Sequence, residues 1–241
     1  SVPSSWDVTD ETKDTGHTEL PDVNSGIIQD LMPLRGQMFI YKEQSTWRMR
    51  FIGGRLVFAF DSFLETAGVL AQRCVALTGD GQRHFVVTHD DIIIHDGNTV
   101  QSVLEKRFKR YLFNQIDTTN HNTSFVFCNP LFGEMYFCYP SRGSSQPDRA
   151  LVWNYKEGSR GSISEMDGVN FRYATIGPVE TATADPWSGA TDTWDASPDV
   201  WSQSDRVKVV LCNVADTKFH KLDTTFTRDG SAFVATAQRT G

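Results

Sequence analysis

The sequence predicts an all-β protein, a propeller-like array of antiparallel meanders with one short helix. Three observations predict it. The first is the stretch His84 to Gly97, where two β-branched or aromatic runs, Phe85 to Thr88 and Ile92 to Ile94, flank a polar turn at His89, Asp90 and Asp91. The second is the recurrence of Asp-Gly at Asp96-Gly97, Asp167-Gly168 and Asp229-Gly230, each three residues ahead of Val100, Phe171 or Phe233. That spacing suits a series of hairpins whose turns need φ > 0. The third is composition: sixteen Phe, six Tyr and six Trp in 241 residues favour half-buried sheet surfaces over helices.

Residues 1–25 are polar and rich in turn formers (Pro3, Asp7, Asp10, Asp14, Gly16, Pro21), which predicts an extended N-terminal segment. A propeller-like β domain is expected over 26–181. It opens with Ile27-Ile28, Met38 to Tyr41, Thr46 to Phe51 and Leu56 to Phe60, separated by turns at Pro33 to Gly36, Lys42 to Ser45 and Gly53-Gly54. Four short strands joined by tight turns make one meander of the size of a propeller blade.

A second unit runs from Cys74 to Leu77 through the 84–97 hairpin. After it, Leu104, Phe108, Tyr111 and Leu112 have helical spacing and predict a short helix over 103–112. Its basic residues, Lys106, Arg107, Lys109 and Arg110, read as a solvated face, with contact to an acidic partner as the functional alternative. The third unit is expected to pair Ser124 to Cys128 with Met135 to Tyr139, then Ala150 to Tyr155 with Phe171 to Thr175. A final β unit of the same domain, 205–241, has strands at Val207 to Asn213, Lys218 to Leu222, Thr224 to Thr227 and Ala232 to Ala237.

Between these lies a Trp/Asp-rich loop, 182–204, in which Trp187, Trp194 and Trp201 recur every seven residues, each with an Asp two positions earlier. Pro186, Gly189 and Pro198 exclude a regular helix. Three indoles in so polar a segment need burial, either against their own domain or as anchors on a neighbouring subunit. The three tryptophans are therefore the candidate subunit-interface residues.

Chemistry is harder to find. A net charge of −7 argues against nucleic-acid binding through a phosphate-neutralising surface, which requires a concentrated basic face. No apolar run is long enough to span a bilayer, and Ser1 to Asp7 is not a signal peptide. The missing Met and the strand-like run at Thr236 to Gly241 suggest part of a longer chain. Cys74, Cys128, Cys138 and Cys212 each sit in an apolar run and read as buried, reduced thiols. In the 125–139 hairpin, Cys128 should face Met135 and Cys138 should face Phe125, so the two are not cross-strand partners.

Asp90, Asp91 and Asp96 fall where turns need Asp, and His84, His89 and His95 lack metal-ligand spacing. Residues 164–171 miss the Asp-box of sialidases, the Asp coming one position late and the aromatic being Phe. No nucleophile elbow, phosphate loop or dinucleotide fingerprint is present, so no catalytic, cofactor-binding or metal residue is assigned and no cofactor is expected.

Several runs resemble the tail tube or nozzle proteins of short-tailed bacteriophages, the group called tail tubular protein B. They are Leu34 to Glu43 with Thr46-Trp47, Phe51 to Gly54 with Val57-Phe58, Thr88 to Gly97, Ala150 to Tyr155, and the loop around Trp194-Asp195. The resemblance implies a non-enzymatic virion tail protein that forms a hexameric ring below the portal and adaptor. The ring would enclose a channel through which double-stranded DNA passes without specific binding. An acidic wall suits such a channel because it repels phosphates. The alternative class is a receptor- or carbohydrate-binding β module of a virion, with exposed Trp stacking on sugar rings.

Overall fold

A computed structural model of the chain describes residues 19–21, 26–53, 57–157, 162–178, 207–213, 219–222, 227–228 and 231–232. Among the described residues the fold is all-β with a single α-helix, and every strand pairing is antiparallel. Two compact units divide the chain, Ser1–Val69 and Leu70–Gly241, a boundary inside the 26–181 span read from the sequence as one domain.

The first unit is one meander: β1 (Ile28–Leu34), β2 (Gln37–Lys42), β3 (Thr46–Phe51) and β4 (Phe58–Leu64), adjacent in that order. Arg35 and Gly36 both take positive φ, 50° and 74°, between the paired residues Leu34 and Gln37. This is the two-residue turn whose twist matches its flanking strands. The strand continues through Pro33, which the sequence placed in the turn. An edge strand tolerates proline because one side of its ladder has no partner to serve. Phe39 and Tyr41 are fully buried, and Phe39 meets Phe63 edge-on at 5.2 Å. Beyond β4 the chain folds back over the β2–β3 turn, with Val69 N donating to Lys42 O at 3.0 Å and Thr46 Oγ1 to Ala67 O at 2.9 Å.

In the second unit β5 (Val75–Leu77), β6 (His84–Val87), β7 (Ile92–His95) and β8 (Val100–Ser102) form a sheet in chain order. All eight residues of β6 and β7 are buried, so the 84–97 hairpin is the centre of the layer. Helix α1 (Lys106–Gln115) follows. It starts three residues later than the spacing predicted, because Val103 N still donates to Ile92 O at 2.9 Å and prolongs the ladder.

The next sheet holds β9 (Phe125–Asn129), β10 (Glu134–Tyr139), β11 (Arg149–Asn154) and β12 (Ile163–Asp167), again as a meander. Its register sets Cys128 opposite Met135 and Cys138 opposite Phe125, as the loop length predicted. Here one expectation fails: β11 pairs with β12, not with Phe171 to Thr175. Asp167-Gly168 does supply a positive φ, 70° at Gly168, but the chain then leaves this sheet instead of closing a hairpin. Strand β13 (Phe171–Pro178) pairs with β14 (Val207–Asn213), which pairs with β15 (Phe219–Lys221). The expected fourth meander is thus divided, since among the described residues β16 (Thr227–Arg228) and β17 (Ser231–Ala232) pair only with each other. The third Asp-Gly and residues 233–237 lie outside the described residues.

Within this unit the sheets pack face to face in chain order. Phe85 of β6 stacks on Trp153 of β11 at 5.7 Å, joining the first layer to the second. On the opposite face of the second layer, Phe125, Phe127, Tyr136, Cys138, Ala150 and Val152 pack with Val209 and Leu211 of β14. The first strands of successive sheets are neighbours, β5 beside β9 and β9 beside β13. No closed propeller is defined by the described residues.

Candidate functional site

The candidate interface residues Trp187, Trp194 and Trp201 lie outside the described residues. The site candidates that are described resolve into a buried polar framework and one open groove.

Asp91 builds the first part. Its Oδ1 accepts Ile92 N at 2.7 Å and Ser102 Oγ at 3.0 Å, and its Oδ2 accepts Lys109 Nζ at 2.5 Å. One carboxylate therefore ties the β6–β7 turn to the end of β8 and to α1. The turn itself is closed by Thr88, whose N donates to Asp91 O at 2.8 Å while its Oγ1 accepts Asp91 N at 2.9 Å. Asp96 accepts Asn98 N and Thr99 N at 2.9 and 2.8 Å, so its carboxylate holds the next turn. Each acid does what the turn chemistry predicted.

The far side of α1 is held by a second cluster. Tyr111 donates to Glu165 Oε2 at 3.2 Å, Tyr139 donates to the other oxygen, and Arg149 reaches Gln115, Asp167 (3.3 Å) and Glu165 (3.7 Å). A tyrosine beside a glutamate is a pairing that some glycosidases use as nucleophile and base. Here Tyr139 is fully buried, and burial first, then its bond to Glu165, pushes its hydroxyl well above the ordinary tyrosine value. A phenol so held keeps its proton, and through Tyr111, Glu165, Tyr139, Arg149 and Gln115 the cluster ties α1 to the second layer.

His84 and His95 are cross-strand partners, their rings edge-on at 5.2 Å and both buried. Burial, reinforced by His84, pushes His95 down to about 3, so its ring stays neutral. Burial likewise pushes the Cys128 thiol up to about 11 and raises that of Cys138 further. All four cysteines are free thiols; Cys74, Cys128 and Cys138 are buried and Cys212 is half-buried. Protonated thiols are poor nucleophiles and poor metal ligands. Among the described residues no three His, Cys, Asp or Glu are grouped to hold a metal ion, and no helix is long and apolar enough to cross a membrane.

The open groove, about 400 Å³, runs between α1 and the β6–β7 turn. Lys106, Lys109, Arg110, Phe113 and Asn114 line it from the helix, and His89 and Asp90 from the turn. Positions 106, 110, 113 and 114 share one helical face by the i, i+4, i+7, i+8 rule. Leu112 is fully buried on the opposite face, which turns the cations outward. Lys109 is committed to Asp91, whereas among the described residues Lys106 and Arg110 have no acidic partner. The sequence marked these cations but not the groove. Phe113 follows from the extension of α1 to Gln115, and the wall formed by His89 and Asp90 from the tether of α1 to Asp91.

Chemically the groove offers two uncommitted cations, a half-buried aromatic ring and an amide: a binding surface for a carboxylate beside an apolar group. No family model and no curated protein matches this chain.

Proposed function

We propose that this protein is a structural component of a bacteriophage tail, a nozzle or tube ring lining the path by which double-stranded DNA leaves the virion. In this reading it has no catalytic activity of its own, assembles as a homo-oligomer, hexameric by resemblance, and meets other tail proteins such as the adaptor. The observation that carries the reading is the face-to-face succession of the β5–β8, β9–β12 and β13–β15 sheets, with their first strands side by side. Such stacking is the packing of propeller blades and makes a stiff wall.

Three further observations support it. Of the runs that resemble tail tubular protein B, those between Leu34 and Phe58 map onto β1 to β4 of the first unit, Thr88 to Gly97 onto the β6–β7 turn with β7, and Ala150 to Tyr155 onto β11, while the run around Trp194-Asp195 lies outside the described residues. The buried histidine and thiols are held in unreactive forms, as a passive wall allows. A net charge of −7 keeps a DNA path non-adhesive.

The test is the assembly of the purified full chain. Negative-stain microscopy should show rings with sixfold symmetry, and replacing Trp194 and Trp201 together with Ala should raise the concentration for half-assembly by about thirtyfold, the effect of losing an interface hot spot. A monomer at every concentration would sink the proposal.

A further inference from the structure

The α1 groove and the 182–204 segment have complementary chemistry that neither shows alone. The groove presents two uncommitted cations, Lys106 and Arg110, and the Asp91-paired Lys109 beside the carboxylate of Asp90, with Phe113 half-buried among them. The segment carries Asp185, Asp192, Asp195 and Asp199, no Lys or Arg, and three tryptophans.

Spacing strengthens the match. In an extended chain residues i and i+2 point to the same side, about 6.6 Å apart, so the Asp and Trp of each Asp-x-Trp module present together. On α1, Arg110 and Phe113 are three residues apart on one face, with side-chain roots about 5–6 Å apart. A carboxylate on Arg110 therefore sets the indole over Phe113, where the guanidinium edge also favours an aromatic face. Lys106, one turn earlier on the helix, supplies a second contact for the carboxylate.

We propose that the groove between α1 and the His89–Asp90 turn receives an Asp-x-Trp module from segment 182–204 of a neighbouring copy of this chain. The assignment rests on the ring reading above and names the contact that would join its subunits. A nucleic-acid strand fits the groove less well. Asp90 stands on the rim and Asp91 beneath Lys109, and both oppose a continuous row of phosphates.

The experiment mixes equal amounts of full-length protein with natural and with heavy nitrogen, lets them assemble, and joins contacting amines and carboxylates with a water-soluble carbodiimide. Mass spectrometry should find mixed-label links from Lys106 or Lys109 to an aspartate of 182–204. In parallel, R110E should raise the concentration for half-assembly by about tenfold or more, since a mispaired charge at an interface is repelled. Because Arg110 is exposed, the fold should be unchanged by circular dichroism.

Oligomers that yield only same-label links, or none, overturn the inference and leave the ring reading standing. So do oligomers that assemble unchanged with R110E, or a variant that loses only retention on a DNA column. A chain that stays monomeric overturns both.

Discussion

The β1–β4 and β9–β12 sheets share one topology, four strands added in chain order, yet they are secured differently. The first is closed by backbone. Residues 26–27 and 67–69 fold onto the β2–β3 turn, Glu43 N donates to Ile27 O at 3.0 Å, and a Cβ at Gly68 would lie 2.3 Å from Lys42 O. Its far end, by contrast, is open, with Phe51 70% exposed and its ring edge-on to Phe58 at 6.0 Å. The second sheet is secured by side chains on both faces, Trp153 against Phe85 on one and Phe127 stacked on Tyr136 at 4.6 Å on the other. A meander is thus a local event, while the way it is held depends on what the rest of its unit brings to its faces.

The largest effect should come from the side-chain arm of this contrast. Trp153→Ala empties a fully buried site and should cost about 3–5 kcal/mol, whereas Phe51→Ala at the open end should stay within about 0.5 kcal/mol. Urea unfolding of the two variants measures both, and equal losses would erase the distinction.

The backbone arm predicts that Gly68→Ala is costly although it adds only one methyl group. The neighbours are the backbone of Lys42 and Glu43, which cannot swing aside, so about 2–3 kcal/mol is expected. The same substitution at Gly177, where nothing lies within 4 Å of an added Cβ, serves as the control. Similar thermal midpoints for the two variants would refute the backbone closure.

At pH 6 the smallest effect belongs to the β5–β8 sheet, whose buried centre includes two histidines, and it grows with each further drop in pH. His95 is held at about 3 against 6.5 in the unfolded chain, so unfolding takes up a proton once the pH falls below 6.5. Stability should therefore be full above that value and be lost as pH drops toward 3, with a slope of up to about 1.4 kcal/mol per pH unit from this group. Comparing the pH dependence of unfolding with that of His95→Gln isolates the term, and parallel curves would remove it.

Much of this architecture was legible in the sequence because hairpins are local. The loop between Phe125 and Tyr139 fixed the Cys128–Met135 and Cys138–Phe125 register, and the β6–β7 turn was written in Thr88, Asp90 and Asp91. Strand β12 was not legible: Ile163, Ser164, Glu165, Met166 and Asp167 alternate weakly, carry two acids and lie on the sheet edge. Without that strand, Phe171 to Thr175 became the apparent partner of β11. Its true partner, Val207 to Asn213, is remote in sequence, and Gly168 permits a turn without dictating where the chain goes next. Of the groove, the cations were visible in sequence, but Phe113 joined them only because α1 runs on to Gln115, past the predicted end at 112.

Asp91 has a mechanical consequence. A tug on α1 from any attached body passes through the ammonium of Lys109 into one carboxylate, whose other oxygen grips the peptide nitrogen of Ile92 and the hydroxyl of Ser102. The strain is shared at once between two adjacent ribbons of the buried layer. The helix is thereby geared to the sheet like a lever on a fixed axle.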